Sequence, residues 1–133
     1  MKSNRAVGNS FEQELCDRLF GYGFWAHNLK QDNSGQPADV LAVRNKVAYL
    51  IDCKDCSVKG FDRRRIEENQ KLAMELWEQC GNGQGWFALK IDERIYMLPL
   101  VTLVSYKNNQ ASLLFKDILD VALPLEKWVM GCR

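Results

Sequence analysis

Apolar positions recur along the chain with two different periods. Between residues 9 and 21 they fall at Phe11, Leu15, Cys16, Leu19 and Phe20, the spacing of one helical face. Gly21 and Gly23 close that segment. Residues 24–29 read as a strand, and 30–37 (KQDNSGQP) as a polar loop of turn formers. Two β-rich runs follow, 38–43 and 47–54, separated by Arg44-Asn45-Lys46, which predicts a hairpin. The helical period returns over 62–80, with Asp62 as N-cap and Gly81 as stop. Residues 86–91 and 94–98 form a second strand pair around Asp92-Glu93, and 99–106 a short helical turn. The last 27 residues fit no single period; they read as a strand near 112–115 and one or two short helices. The expected fold is α/β, a mixed central sheet flanked by helices, in one domain over residues 1–133.

The hairpin holds the first chemistry. Asp52 and Lys54 are two apart on a strand and share a face, while Cys53 points the other way. With Asn45-Lys46 as a two-residue loop, Arg44 pairs with Val47 and Asp39 falls opposite Asp52. Cross-strand partners have Cβ atoms ~4.5–5.5 Å apart. Two carboxylates so close repel unless a positive charge lies between them, and a divalent cation with oxygen ligands would supply it. The approach, Val47-Ala48-Tyr49-Leu50-Ile51, is nearly all apolar, as in a strand buried on both faces. A plain Asp52–Lys54 ion pair at a strand end is the simpler alternative.

Both helices carry a polar residue on the inward face. Glu12 projects among Leu15, Cys16 and Leu19, whereas Glu14 lies on the far side and can pair with Arg18 in solvent. Glu12 could equally serve the helix start, with Asn9 or Ser10 as N-cap. In the second helix Gln70 lies between Ala73 and Trp77 in projection, and a buried amide there needs partners, which nearby backbone could also provide.

Composition narrows the setting. Net charge is +1, but residues 1–65 hold 11 Lys/Arg against 8 Asp/Glu, and residues 66–133 hold 7 against 9. The first half can therefore present a modest phosphate-binding patch. No apolar run nears the ~20 residues of a membrane span, and the first residues lack a secretory pattern. Five cysteines, an odd number, suit a reducing, cytoplasmic setting. Cys53-x-x-Cys56 lacks further ligands at zinc spacing and straddles a strand end, so neither zinc nor redox chemistry is expected. His27 stands alone, and the glycine run 81–85 has no following Lys and helix to make a phosphate loop.

Read in order, Gly8-Asn9-Ser10-Phe11-Glu12, Gly23-Phe24, Ser34-Gly35, Pro37-Ala38-Asp39-Val40-Leu41-Ala42 and Leu50-Ile51-Asp52-Cys53-Lys54 resemble the PD-(D/E)xK nucleases, and most closely the archaeal-type Holliday-junction resolvases. The resemblance is sharp over the first half and fades through Gln70 to about Leu98; residues 99–133 read as an extension of unclear match. Two departures stand out. An alanine separates Pro37 from Asp39, and Asp52 replaces the usual Glu of the Glu-x-Lys pair.

The resemblance implies a restriction-endonuclease-like core and hydrolysis of DNA phosphodiesters with Mg²⁺, or Mn²⁺, as cofactor. It implies that Asp39, Asp52 and the Cys53 carbonyl bind the ion, and that Glu12 holds a metal-bound water or a second ion. Lys54 would orient or activate the attacking water, Ser34 would approach the scissile phosphate, and Gln70 would support Lys54 or the water. Lys30, Arg44, Lys46, Lys59, Arg63, Arg64 and Arg65 are the expected phosphate contacts. Partners implied are branched DNA and a second copy of the chain. Leu113, Leu114, Phe115, Trp128 and Val129 fit either that dimer surface or the core. Another nuclease of the superfamily, or a non-catalytic DNA-binding protein with this fold, would share most of these features.

Overall fold

Helix α1 (Ser10–Gly21) lays Phe11, Leu15, Cys16 and Leu19 against one face of a sheet, each at most 5% exposed, while Phe20 turns to solvent. The computed structural model describes residues 10–29 and 38–132. The sheet runs β1 (Trp25–Asn28), β2 (Val40–Arg44), β3 (Val47–Asp55), β5 (Trp86–Ile91), β6 (Arg94–Pro99) and β8 (Leu123–Pro124) in spatial order. Every pairing is antiparallel except β3 with β5, so the sheet is mixed. Both hairpins turn on two non-glycine residues at positive φ, Asn45-Lys46 and Asp92-Glu93, the geometry that matches strand twist.

Two apolar layers sandwich the sheet. On one face α1 and α5 (Leu125–Gly131) cover Val40, Ala42, Ile51 and Ala88. Trp128 is the hub of this layer; its ring meets Tyr49 at 5.2 Å, Trp86 at 5.5 Å and Phe24 at 6.0 Å. On the other face α2 (Glu68–Gln79), α3 (Leu100–Ser105) and α4 (Phe115–Val121) enclose Phe87, Leu89, Ile91 and Leu98. Leu113, Trp128 and Val129 are therefore core; Leu114 is exposed, and Phe115 is half-buried on Tyr96. Among the described residues, no helix is long and apolar enough to cross a membrane.

One expected helix is divided. Residues 62–80 open with the end of a strand, β4 (Gly60–Asp62), which pairs with β7 (Ser112–Leu114). Asp62 does cap, but it caps a 3-10 turn over Arg63–Arg65 by accepting from the Arg64 N–H. The α-helix begins only at Glu68, after an extended Ile66. The cause is a pairing 50 residues distant, which local periodicity does not register. Gly60 is required there: φ is +133° and an added Cβ would lie 2.0 Å from the Leu113 carbonyl oxygen.

The ion pairs of α1 also differ from expectation. Glu14 reaches across to Lys90 of β5 at 2.7 Å, and Arg18 pairs with Glu126 of α5. A Glu14–Arg18 contact along the helix gives way to two tertiary ones, which tie α1 to the sheet and to the C-terminal helix.

Candidate active site

The β2–β3 ladder runs from Arg44 opposite Val47 to Val40 opposite Ile51. Beyond it the regular register ends: Asp39, at a bend, turns to Ile51, the residue that Val40 already faces, and Asp52 is the next residue of β3. The Asp39 N–H donates to the Ile51 carbonyl at 3.0 Å, and its Oδ2 accepts from the Cys53 N–H at 2.8 Å. A side chain thus takes the place of the next main-chain rung. Peptide groups alternate sides along a strand, so the Cys53 carbonyl faces the same β2-side edge.

Asp52 is 1% exposed and points into the layer under α2. Its Oδ1 accepts from Gln70 Nε2 at 3.0 Å, and its Oδ2 lies 3.2 Å from Lys54 Nζ. That ammonium attracts Oδ2 as a charge but is not aligned as a donor, which leaves Oδ2 buried without a hydrogen bond. Burial is the main force on the Asp52 carboxyl; with the Asp39 charge beside it, the group is pushed up to about 8 despite Lys54.

Gln70 is fixed from both ends. Its Oε1 accepts from the Glu67 N–H, closing a capping box at the start of α2, while its amide N–H₂ holds Asp52. Nearby backbone takes the amide oxygen and Asp52 the amide N–H₂. The direct partner of Gln70 is Asp52, where support of Lys54 or water was expected.

Glu12 is half-buried in the first turn of α1. Burial raises its carboxyl above the ordinary range, and the negative charges of Asp39 and Asp55 add to this. Its own backbone N–H offsets part of the shift. Asp55 is a site neighbour that sequence reasoning passed over; its place three residues past Asp52, at the end of the same strand, was the available signal. The Cys53 thiol points away into the α1 layer, where burial raises it well above an ordinary thiol.

Oxygen donors from two carboxylates and a strand-end carbonyl, one carboxylate oxygen orphaned, fit a hard divalent cation. Among the described residues no three acidic, His or Cys side chains converge as a ready ligand set.

The seven basic residues separate by position. Arg44 and Lys46 sit at the turn end of the hairpin, ~17 Å of strand from Asp39. The Arg44 guanidinium lies over the Phe24 ring and donates to the carbonyls of Tyr22, Val129 and Cys132. Arg63 donates to the carbonyls of Leu103, Tyr106, Lys107 and Gln110. Both are committed to main chain. Arg64 grips both oxygens of Asp62, holding that carboxyl down to about 2. Lys59 is exposed in the β3–β4 turn, and Arg65 donates to the Asp55 carbonyl at 3.0 Å. Lys30 and Ser34 fall outside the described residues.

A mixed sheet flanked by helices, with Asp39, Asp52 and Lys54 at the open end of its first hairpin, is consistent with a PD-(D/E)xK-like core. The family model described as "Archaeal holliday junction resolvase (hjc)" matches residues 3–132. The chain belongs to the archaeal Holliday-junction resolvase (Hjc) family, a family of nucleases. Among solved structures it is similar to Hjc of Archaeoglobus fulgidus, a Holliday junction resolvase from an archaeal hyperthermophile. The TM-score is 0.69 at 14% identity, over 91% of this chain and 98% of that one. No curated protein sequence matches the chain at a significant level. The family match takes in residues 99–132, for which the motifs alone had offered no counterpart.

Proposed function

We propose that the protein is a Mg²⁺-dependent, structure-selective endonuclease that cuts four-way DNA junctions as a homodimer. The observation that carries this is the meeting of half-buried Asp39 with buried Asp52, whose orphaned oxygen lies beside the Lys54 ammonium. Without a cation that meeting is costly, since burial and mutual charge both oppose ionisation.

Asp39, Asp52 and the Cys53 carbonyl would hold the ion. The chemistry it supplies when bound is acidification of water and neutralisation of charge developing on the phosphoryl group. Gln70 keeps Asp52 aimed along one direction, which fixes where the orphaned oxygen points. Lys54 lies on the same face, where its ammonium can orient the attacking water and offset negative charge in transit. Glu12, with a raised carboxyl at the rim, would take a hydrogen bond from that water or receive its proton. Attack in line with the leaving oxygen yields a 5′-phosphate. A four-way junction presents two equivalent strands, so two copies of one such centre are needed for a paired cut.

The test uses a synthetic four-way junction and a linear duplex of the same sequence, each with Mg²⁺, Mn²⁺ or EDTA. Paired, metal-dependent incisions confined to the junction are expected, from a protein that light scattering measures as a dimer. Equal rates on both substrates would remove the junction claim. Cutting in EDTA would remove the metal claim, and no cutting by folded protein would remove the nuclease itself.

A further inference from the structure

We infer that Arg65 is the residue that binds the DNA backbone phosphate adjoining the scissile one. The inference rests on the nuclease reading above and adds a substrate contact to it. It starts from the edge of β3 that, among the described residues, β2 does not pair. On that edge the Ile51 carbonyl is closed by the Asp39 N–H and the Cys53 N–H by the Asp39 carboxylate. The Cys53 carbonyl comes next, and then the Asp55 carbonyl, which accepts from Arg65 Nη1. Residues two apart on a strand are ~6.6 Å apart. The guanidinium is thus anchored one such step beyond the carbonyl offered to the metal, on the same side of the strand.

Three consecutive arginines lead into α2, and their environments differ. Arg63 is consumed by four carbonyls and Arg64 by a carboxylate. Arg65 is exposed and, among the described residues, makes no ion pair. Its partners are the Asp55 carbonyl and the Phe61 ring at 5.6 Å. These position the planar group without neutralising it. A guanidinium has five N–H donors in a rigid fork that matches phosphate, and one carbonyl cannot use them all. A cation held this way, next to a site that handles phosphodiesters, complements a second phosphate of the same strand.

The experiment measures binding of a labelled four-way junction in EDTA, in an Asp52→Asn background so that nothing is cut. Arg65→Ala is expected to weaken binding about tenfold and to lower the slope of log affinity against log salt by about one. Arg64→Ala should change neither. Arg65→Lys keeps the charge and loses the fork, so it should retain the salt slope while weakening binding severalfold. This variant also decides the matter should Arg65→Ala fail to fold. An unchanged affinity in Arg65→Lys and an unchanged slope in Arg65→Ala would overturn the inference, as would an equal loss in Arg64→Ala. With Asp52 restored, metal-dependent cutting of the junction by the protein with Arg65 intact shows separately whether the nuclease reading itself stands.

Discussion

Gln70 Nε2 donates to Asp52 Oδ1 across 3.0 Å, between residues 18 apart in the chain. The amide that caps α2 also aims the acid at the end of β3. The orientation of the candidate catalytic carboxylate is therefore set by how the helix begins.

Replacing Gln70 by Ala breaks both bonds at once. A loss of ~1–3 kcal/mol of stability is expected, from an uncapped helix start and a buried carboxylate short of one donor. Cleavage should fall ~10–100-fold through misaimed Asp52, with junction affinity little changed. Denaturant melts and single-turnover cleavage measure the two effects; unaltered cleavage would show that Asp52 needs no orienting partner.

Asp52→Asn should abolish cutting while leaving fold and DNA binding intact. The metal-free variant should be at least as stable as the parent, because a buried acid facing another acid has been made neutral. Cleavage within tenfold of the parent would displace Asp52 from the centre.

The raised Asp52 carboxyl has a consequence for stability. In the folded, metal-free protein this group keeps its proton up to about 8, whereas the unfolded chain releases it near 3.8. Between those values the folded state holds more protons, so its contribution is full below about 4 and is lost as pH rises toward 8. The slope is at most ~1.4 kcal/mol per pH unit. Asp62, Asp117 and Glu126 are shifted down and act in the opposite sense, at lower pH. The difference between parent and Asp52→Asn isolates the one group. Melting temperatures in EDTA should fall with pH more steeply in the parent, and Mg²⁺ should flatten that fall. Parallel pH profiles for the two proteins would contradict it.

Arg44→Ala leaves the carbonyls of Tyr22, Val129 and Cys132 without their donor and strips a cation from the Phe24 ring. A destabilisation of ~2–4 kcal/mol is expected, and Lys should not restore it, since one ammonium cannot reproduce the fork. Junction affinity measured well below the melting point should hold. A large drop in affinity with unchanged melting would instead make Arg44 a DNA contact.

The legible parts of the site were those fixed by short-range geometry. A two-residue loop and strict alternation set the hairpin register from Arg44–Val47 to Val40–Ile51, and the two-residue spacing put Asp52 and Lys54 side by side; the bend that turns Asp39 toward Ile51 lies past the reach of that alternation. Helical projection likewise set Glu12 and Gln70 inward. What escaped was non-local. Residues 62–80 read as one helix because Phe61 and Leu113, which meet across β4 and β7, are 52 residues apart. Arg63 and Arg44 read as surface cations because their carbonyl partners come from distant turns. Glu14 and Arg18 exchanged a local partner for Lys90 and Glu126 for the same reason. The tail lacked a clear period because its helices span only seven residues each, too few to reveal a repeat.

Strand β3 outruns strand β2 by several residues, and it is on this unequal length that Asp39, the Cys53 carbonyl and Arg65 are arranged. Because these groups hang from one short overhang, a slip of β2 by a single residue against β3 would carry Asp39 away from the others and scatter the whole set.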